Sequence, residues 1–469
     1  MIFPTIQFAA FFVVVLTANW LLRPHRQQWM WFMLAASYFF YGAWDWRFAF
    51  LMAGVTIVNH LAAAAISATD DPKRRKRFLG LGVVLSLGVL GWFKYYGFFA
   101  SSLINLFGTL GIDLPLPLVE ITLPVGISFF TFQAMTYPID VYRRHQETVP
   151  LLDFMVFVAF FPQLVAGPIV RTSEFLPQLY RPADPRKVEG GAGLLLIAGG
   201  LFKKVVVANT LATSLVDPVF SSPQNFSALE VLAGIYGYAV QIYADFSGYT
   251  DIAIGCALLM GFRFPQNFNH PYTAVSIQDF WRRWHMTLSR WLRDYLYIPL
   301  GGSRNGRTAT YRNLMITMTL GGLWHGAAWT FVLWGALHGV GLALERWSNE
   351  RAALPAREPT TRLWLRRLVV FHFVCFGWVL FRSDSLATAG TVLSRLFEWG
   401  PAPALTPAVM ALIVGGIGVQ YLPADLRLRV RSAFSQLRPV AMAGVLGGFL
   451  LVVDSLGPEG VAPFIYFQF

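Results

Sequence analysis

Apolar runs of about 20 residues recur from one end of this chain to the other, and no other feature constrains its fold as tightly. A helix of that length crosses the hydrocarbon core of a bilayer with all its backbone polar groups satisfied internally. A β-barrel would show alternating segments of about ten residues, and these are absent. Composition points the same way. Of 469 residues, 55% are hydrophobic and only 13% are charged, whereas soluble domains carry about 25% charged residues. Mean hydropathy is +0.51. The sequence therefore predicts an all-α polytopic membrane protein with about 10–13 crossings in a single integral membrane domain, 1–469. The predicted spans are 5–22, 29–44, 47–68, 78–100, 121–140, 151–170, 190–216, 229–260, 314–344, 363–381, 405–422 and 440–456.

The formal net charge is +12 and the pI is near 9.8. In a soluble protein that balance would suggest nucleic acid. Here the basic residues cluster between apolar runs, which assigns them to cytoplasmic loops and anionic lipid headgroups and excludes nucleic acid as a partner. "RPHR" (23–26) follows the first span and "DDPKRRKR" (70–77) follows the third. Both should be cytoplasmic, which puts the N-terminus outside. The opening stretch "MIFPTIQFAAFFVVVLTANWLL" lacks the basic n-region of a cleaved signal peptide and reads as a retained first span. Cys256 and Cys375 both lie in apolar stretches, where a free cysteine packs as a small hydrophobe.

Several segments depart from a simple lipid-facing helix. "LPVGISFFTFQAMTYPID" (123–140) carries Pro124, Gln133 and Pro138, and "FFPQLVAGPIVR" (160–171) carries Pro162 and Pro168. Such breaks free backbone groups that protein or water must satisfy. In "IYGYAVQIYADFSGYTDIAIG" (235–255), Gln241, Asp245, Ser247 and Asp251 interrupt a span, and Gln241 and Asp245 share one helix face. A carboxylate at that depth is costly unless paired or hydrated. Two readings fit: a polar stripe facing an internal tunnel, or a hydrogen-bonded clamp between helices.

"SIQDFWRRWHMTLSRWLRDYLYIPLGG" (276–302) holds too many charges for a lipid-exposed crossing. Its aromatic and leucine residues recur at steps of three and four, which predicts an amphipathic helix at the membrane interface with His285 at its middle, beside Trp284. The loop "GGSRNGRT" (301–308) follows, and its Arg304 and Arg307 suit either a flexible basic loop or close approach to phosphate. Finally "LGGLWHGAAWTFVLWGALHG" (320–339) reads as a spanning helix that places His325 inside its apolar run, beside Trp324.

Of eight histidines, His285 and His325 stand apart: each follows a tryptophan and each sits by disrupted membrane structure. A buried imidazole stays neutral and can act as a base near neutral pH. No His-x3-His spacing is present for a metal, and no G-x-S-x-G elbow for a serine nucleophile.

Taken together, "PQLVAGPIVR", "QIYADFSGYTDIAIG", "FNHPYTAVSIQDFWRRWHMTLSRWLRDYLYIPLGG" and "LGGLWHGAAWTFVLWGALHG" resemble the membrane-bound O-acyltransferase family, in its bacterial alginate O-acetylation branch. The resemblance is strongest over about 120–345, a catalytic core flanked by peripheral spans 1–119 and 360–469. It implies a ring of membrane helices around a central funnel, with short in-plane helices. It also implies catalytic roles for His325 and His285, with Trp324, Gln241, Asp245 and Trp284 along the tunnel. No bound cofactor is expected. The donor would be a thioester such as acetyl-CoA, its phosphates near Arg304 and Arg307. The acceptor would be an extracytoplasmic polysaccharide, reached through an extracytoplasmic acetyltransferase partner, and the location a bacterial inner membrane. A transporter or flippase without covalent chemistry is the alternative, since broken helices and midplane polar groups suit it too. A structural scaffold for a polysaccharide synthase is a third possibility.

Overall fold

The computed structural model describes all residues except 1–2, 166, 182–183, 351–358, 459, 461–463 and 466–469. The described residues are helical, with no strands. Trp46–Ser67, Pro72–Thr109, Gly190–Ser221, Thr360–Arg382 and Pro439–Leu456 are each long and apolar enough to cross a membrane. A sixth is added if Pro407–Tyr421 and Asp425–Ser435, bent by 93°, are one broken span. Among the other predicted spans, 29–44 becomes Arg26–Gly42, 121–140 shortens to Ile127–Tyr142, and 151–170 divides into Leu151–Ala159 and Phe161–Leu164.

Two compact units result, Met1–Glu189 with Cys256–Pro265, and Gly190–Gly255 with Gln266–Phe469. In the first, Asp45 and Asp71 cap the helices Trp46–Ser67 and Pro72–Leu90 by accepting backbone N–H groups from Arg47 and Lys73. Arg75, from the basic run 70–77, is buried and structural. Its guanidinium donates to the carbonyls of Ile66, Thr69, Val141 and Tyr142, satisfying helix C-termini that have no partners of their own.

The second unit is organised by glycine contacts. A Cβ on Gly200 would meet the Gly248 carbonyl oxygen at 2.5 Å, and one on Gly255 would meet that of Gly193 at 2.6 Å. Only small residues let the Gly190–Ser221 segment and the Ala228–Leu259 helix touch backbone to backbone. That approach brings Lys204 to Asp245 at 2.7 Å and Lys203 to Asp251.

Two predicted helices are interrupted. The run 314–344 is a hairpin of Gly306–His325 and Trp329–Asn349. The break falls at Gly326, where a Cβ would lie 2.0 Å from the Phe331 ring of the returning arm. Along the hairpin, a Cβ on Gly322 would meet the Phe331 carbonyl oxygen at 2.2 Å, and one on Gly335 that of Met318 at 2.3 Å. The predicted amphipathic helix of 276–302 is divided into Ile277–Trp281, Met286–Leu292 and a wider turn at Arg293–Tyr297. His285 therefore lies at a break rather than within a helix.

Candidate active site

His325 is the last residue of its hairpin arm. Carbonyl groups at a helix C-terminus carry partial negative charge, so an imidazolium formed there is stabilised. A histidine that must accept a proton gains from that placement. Its ring is 3% exposed and is enclosed by Trp324, Trp334 and Phe381, with ring centroids at 4.9, 5.2 and 5.3 Å.

His285 takes a left-handed backbone conformation with φ +42°, rare outside glycine and sustained only where the surroundings impose it. Asn267 does so. Its backbone carbonyl accepts the Met286 N–H at 2.9 Å. Its side-chain oxygen accepts the Thr287 N–H at 3.2 Å, the Thr287 hydroxyl at 2.9 Å and the His285 Nδ1–H at 3.2 Å. An amide oxygen can only accept, so the proton sits on Nδ1 and Nε2 presents a lone pair. His285 is 0% exposed. It lies outside the spanning helices, and burial pushes its imidazole down to about 3, which keeps it neutral.

The two imidazoles converge, with centroids 6.4 Å apart, and Trp324 lies 6.1 Å from His285. General-base chemistry needs the base within about 3 Å of the proton it takes, and the two rings stand on either side of a common, buried aromatic neighbourhood. Trp284 is buried and packs on Trp378 at 5.0 Å and Phe268 at 5.1 Å. Gln241 and Asp245 are both buried on the Ala228–Leu259 helix. The Asp245 carboxylate accepts from Lys204 Nζ and from the backbone amide of Ile465.

A cavity of about 680 Å³ lies beside this site, lined by Arg282, Arg290, Arg293 and Arg346 with Trp281 and Met286 among its walls. Met286 directly follows His285, while neither histidine lines the cavity. Arg304 and Arg307 are exposed and do not line it. Arg307 reaches its wall only through Glu350, which accepts from Arg307 at 3.0 Å and from Arg346 at 3.1 Å. Among the described residues no cluster of His, Cys, Asp or Glu could hold a metal ion.

Sequence reasoning missed Asn267, Lys204 and the cavity arginines as members of one site. Lys203 and Lys204 in "LFKKVVVA" were a usable signal, two charges inside an apolar run that call for acidic partners. Asn267 in "PQNFNHPY" gave none, because its role depends on a residue that folds onto it from later in the chain.

Residues 89–386 match the model of the membrane-bound O-acyltransferase family. The chain is 43% identical over 403 residues to "Probable alginate O-acetylase AlgI" of Pseudomonas aeruginosa, an alignment covering 85% of this chain and 75% of that protein. It is 38% identical over 397 residues to "Peptidoglycan O-acetyltransferase" of Helicobacter pylori, covering 78% and 73%. It is 30% identical over 271 residues to "Teichoic acid D-alanyltransferase" of Bacillus subtilis, covering 55% and 68%. The matched family region contains both histidines and every residue of the arginine cavity.

Proposed function

The chain belongs to the membrane-bound O-acyltransferase family and is a multi-pass membrane acyltransferase, and from that premise we propose that it moves an acetyl group from a cytoplasmic thioester, acetyl-CoA, across a bacterial inner membrane to O-acetylate an extracytoplasmic polysaccharide such as alginate. Relatives named for alginate and for peptidoglycan acetylation cover more than three quarters of the chain, which favours acetyl over other acyl groups. The observation that carries the reading is the meeting of His285 and His325 at 6.4 Å inside a buried aromatic enclosure.

His325 takes the proton of the acceptor hydroxyl as its oxygen attacks the thioester carbonyl. The helix C-terminus stabilises the resulting imidazolium. Collapse of the tetrahedral intermediate breaks the carbon–sulfur bond and expels thiolate, which recovers the proton from His325. His285 presents Nε2 as an acceptor, which suits orienting the reactants rather than donating to the oxyanion. Trp324, Trp284 and Gln241 wall the acyl passage, and Asp245 serves as the clamp that fixes one wall. The donor's phosphates are held by Arg282, Arg290, Arg293 and Arg346, with Arg304 and Arg307 adding positive charge at the approach. The acetyl group leaves on the outer side, through a serine of an extracytoplasmic acetyltransferase partner that passes it to the polymer.

Thiol release from acetyl-CoA by purified protein tests this. His325→Ala should lower the rate by about 10²–10⁴-fold. Wild-type rates in folded His325→Ala protein would refute the assignment.

A further inference from the structure

Late in the chain, Phe464 and Ile465 return to the interior of the second unit, at 0% and 2% exposure. Their anchor is the Asp245 carboxylate. Oδ1 accepts from Lys204 Nζ at 2.7 Å and Oδ2 accepts the Ile465 N–H at 2.8 Å. The Lys204 and Asp245 side chains are 2% and 4% exposed, so protein groups must provide the hydrogen bonds that water would otherwise supply. The Ile465 amide supplies one. A lysine alone would neutralise the charge but would leave the second oxygen without that donor.

The anchored segment bears on the histidine pair. The Phe464 ring lies 4.6 Å from that of Tyr249 and 5.6 Å from that of Phe246. Asp245, Phe246 and Tyr249 occupy adjacent turns of one helix, so the polar anchor and the aromatic seat are held together rigidly. Phe246 in turn stands edge-on to His285, with centroids 4.7 Å apart and planes at 85°. Asn267 fixes one nitrogen of that imidazole. Phe246 packs edge-on against the ring itself, closer than Phe268 at 6.4 Å and Trp324 at 6.1 Å, and Phe464 packs against Phe246.

We infer that Phe464 and Ile465 are positioning residues of the transfer site: anchored on Asp245, they hold Phe246 against His285 and so set the plane of its imidazole. The inference rests on the reading of the histidine pair as the site of acetyl transfer. Neither residue touches the arginine cavity, so their loss should act on turnover and not on donor binding.

The test uses full-length Phe464→Ala, Ile465→Pro, which removes the amide donor, and the conservative Phe464→Leu. Two quantities are measured per folded molecule: kcat and KM for acetyl-CoA, and the ¹⁵N signals of the His285 ring, assigned by their loss in His285→Asn. Phe464→Ala and Ile465→Pro should each lower kcat roughly tenfold at unchanged KM and shift the His285 signals, with Phe464→Leu recovering most of both. A merely structural role would lower the yield of folded protein and leave kcat and the ring signals of the folded fraction unmoved; either quantity staying at its wild-type value overturns the inference. The ring measurement needs no donor. Failure of acetyl-CoA turnover in the wild type, or its survival in His325→Ala, would therefore count against the transfer reading alone, while the His285 signals still decide the positioning role. Should Phe464→Ala not fold, Phe464→Leu and Ile465→Pro carry the same comparison.

Discussion

Asn267 gathers three hydrogen bonds on one side-chain oxygen and thereby holds the His285 proton on Nδ1. Replacing it with alanine frees the tautomer and removes the restraint on a strained backbone. Asn267→Ala should lower kcat by about tenfold or more, while Asn267→Asp, which keeps an acceptor oxygen, should lose less; steady-state rates with acetyl-CoA check this. Burial also sets the pH response of His285. Its folded value lies near 3, below the unperturbed value of about 6.5, so the unfolded chain binds the proton more readily. The neutral ring contributes stability fully above about 6.5, and that contribution is lost as pH falls from there toward the folded value. Melting in detergent should therefore drop between pH 7.5 and 4.5, and the drop should be smaller in His285→Asn.

The hairpin that carries His325 depends on glycine where its two arms meet backbone to backbone. Alanine at Gly322 or Gly335 would push a methyl group within 2.2 or 2.3 Å of a carbonyl oxygen on the opposite arm. Backbone cannot yield as a flexible side chain can, so either substitution should cost about 1–3 kcal/mol or more and move His325 away from Phe381 and Trp334. Gly415 is the contrast: no atom lies within 4 Å of its Cβ position, and Gly415→Ala should be neutral or stabilising by about 0.5–1 kcal/mol. Thermal unfolding of the three variants in one detergent measures the difference. At this scale the sequence was legible in part. The apolar content of 314–344 and the aromatic periodicity of 276–302 were read as continuous helices, because periodicity reports which face is apolar and says nothing of where the chain reverses. The reversals are set by Phe331 closing over Gly326 and by Asn267 docking at His285.

For the whole molecule, four arginines from two separate segments converge on one cavity. On the proposed function, the arginines around this cavity of about 680 Å³, which Glu345 and Glu350 also line, would hold a polyanionic donor by charge and by planar hydrogen bonding. Arg282→Gln and Arg290→Gln should raise KM for acetyl-CoA several-fold, to an extent that shrinks at high salt, and should leave kcat close to wild type. A matching fall in kcat would place these residues in the chemical step instead. Arg304 and Arg307 were the arginines that the sequence singled out, because they flank glycines in a loop. Arg282, Arg290 and Arg293 read in the sequence only as charges that rule out a lipid-exposed crossing, because their meeting with Arg346 on one wall depends on folding.

Sequence alone determined the class of this protein and singled out two of its histidines. Apolar runs of bilayer length admit only helices, since no other structure satisfies the backbone in lipid without closing a barrel, and the motifs around Trp284 and Trp324 set His285 and His325 apart from the other imidazoles. Tertiary structure decided the rest. It decided that both residues stand at helix breaks, that Asn267 selects the tautomer, that Asp245 pairs with Lys204 and a distant backbone amide, and which arginines share a cavity. Each depends on groups far apart in the chain approaching within 3–4 Å, and that approach is governed by glycine contacts and aromatic packing that local patterns do not encode.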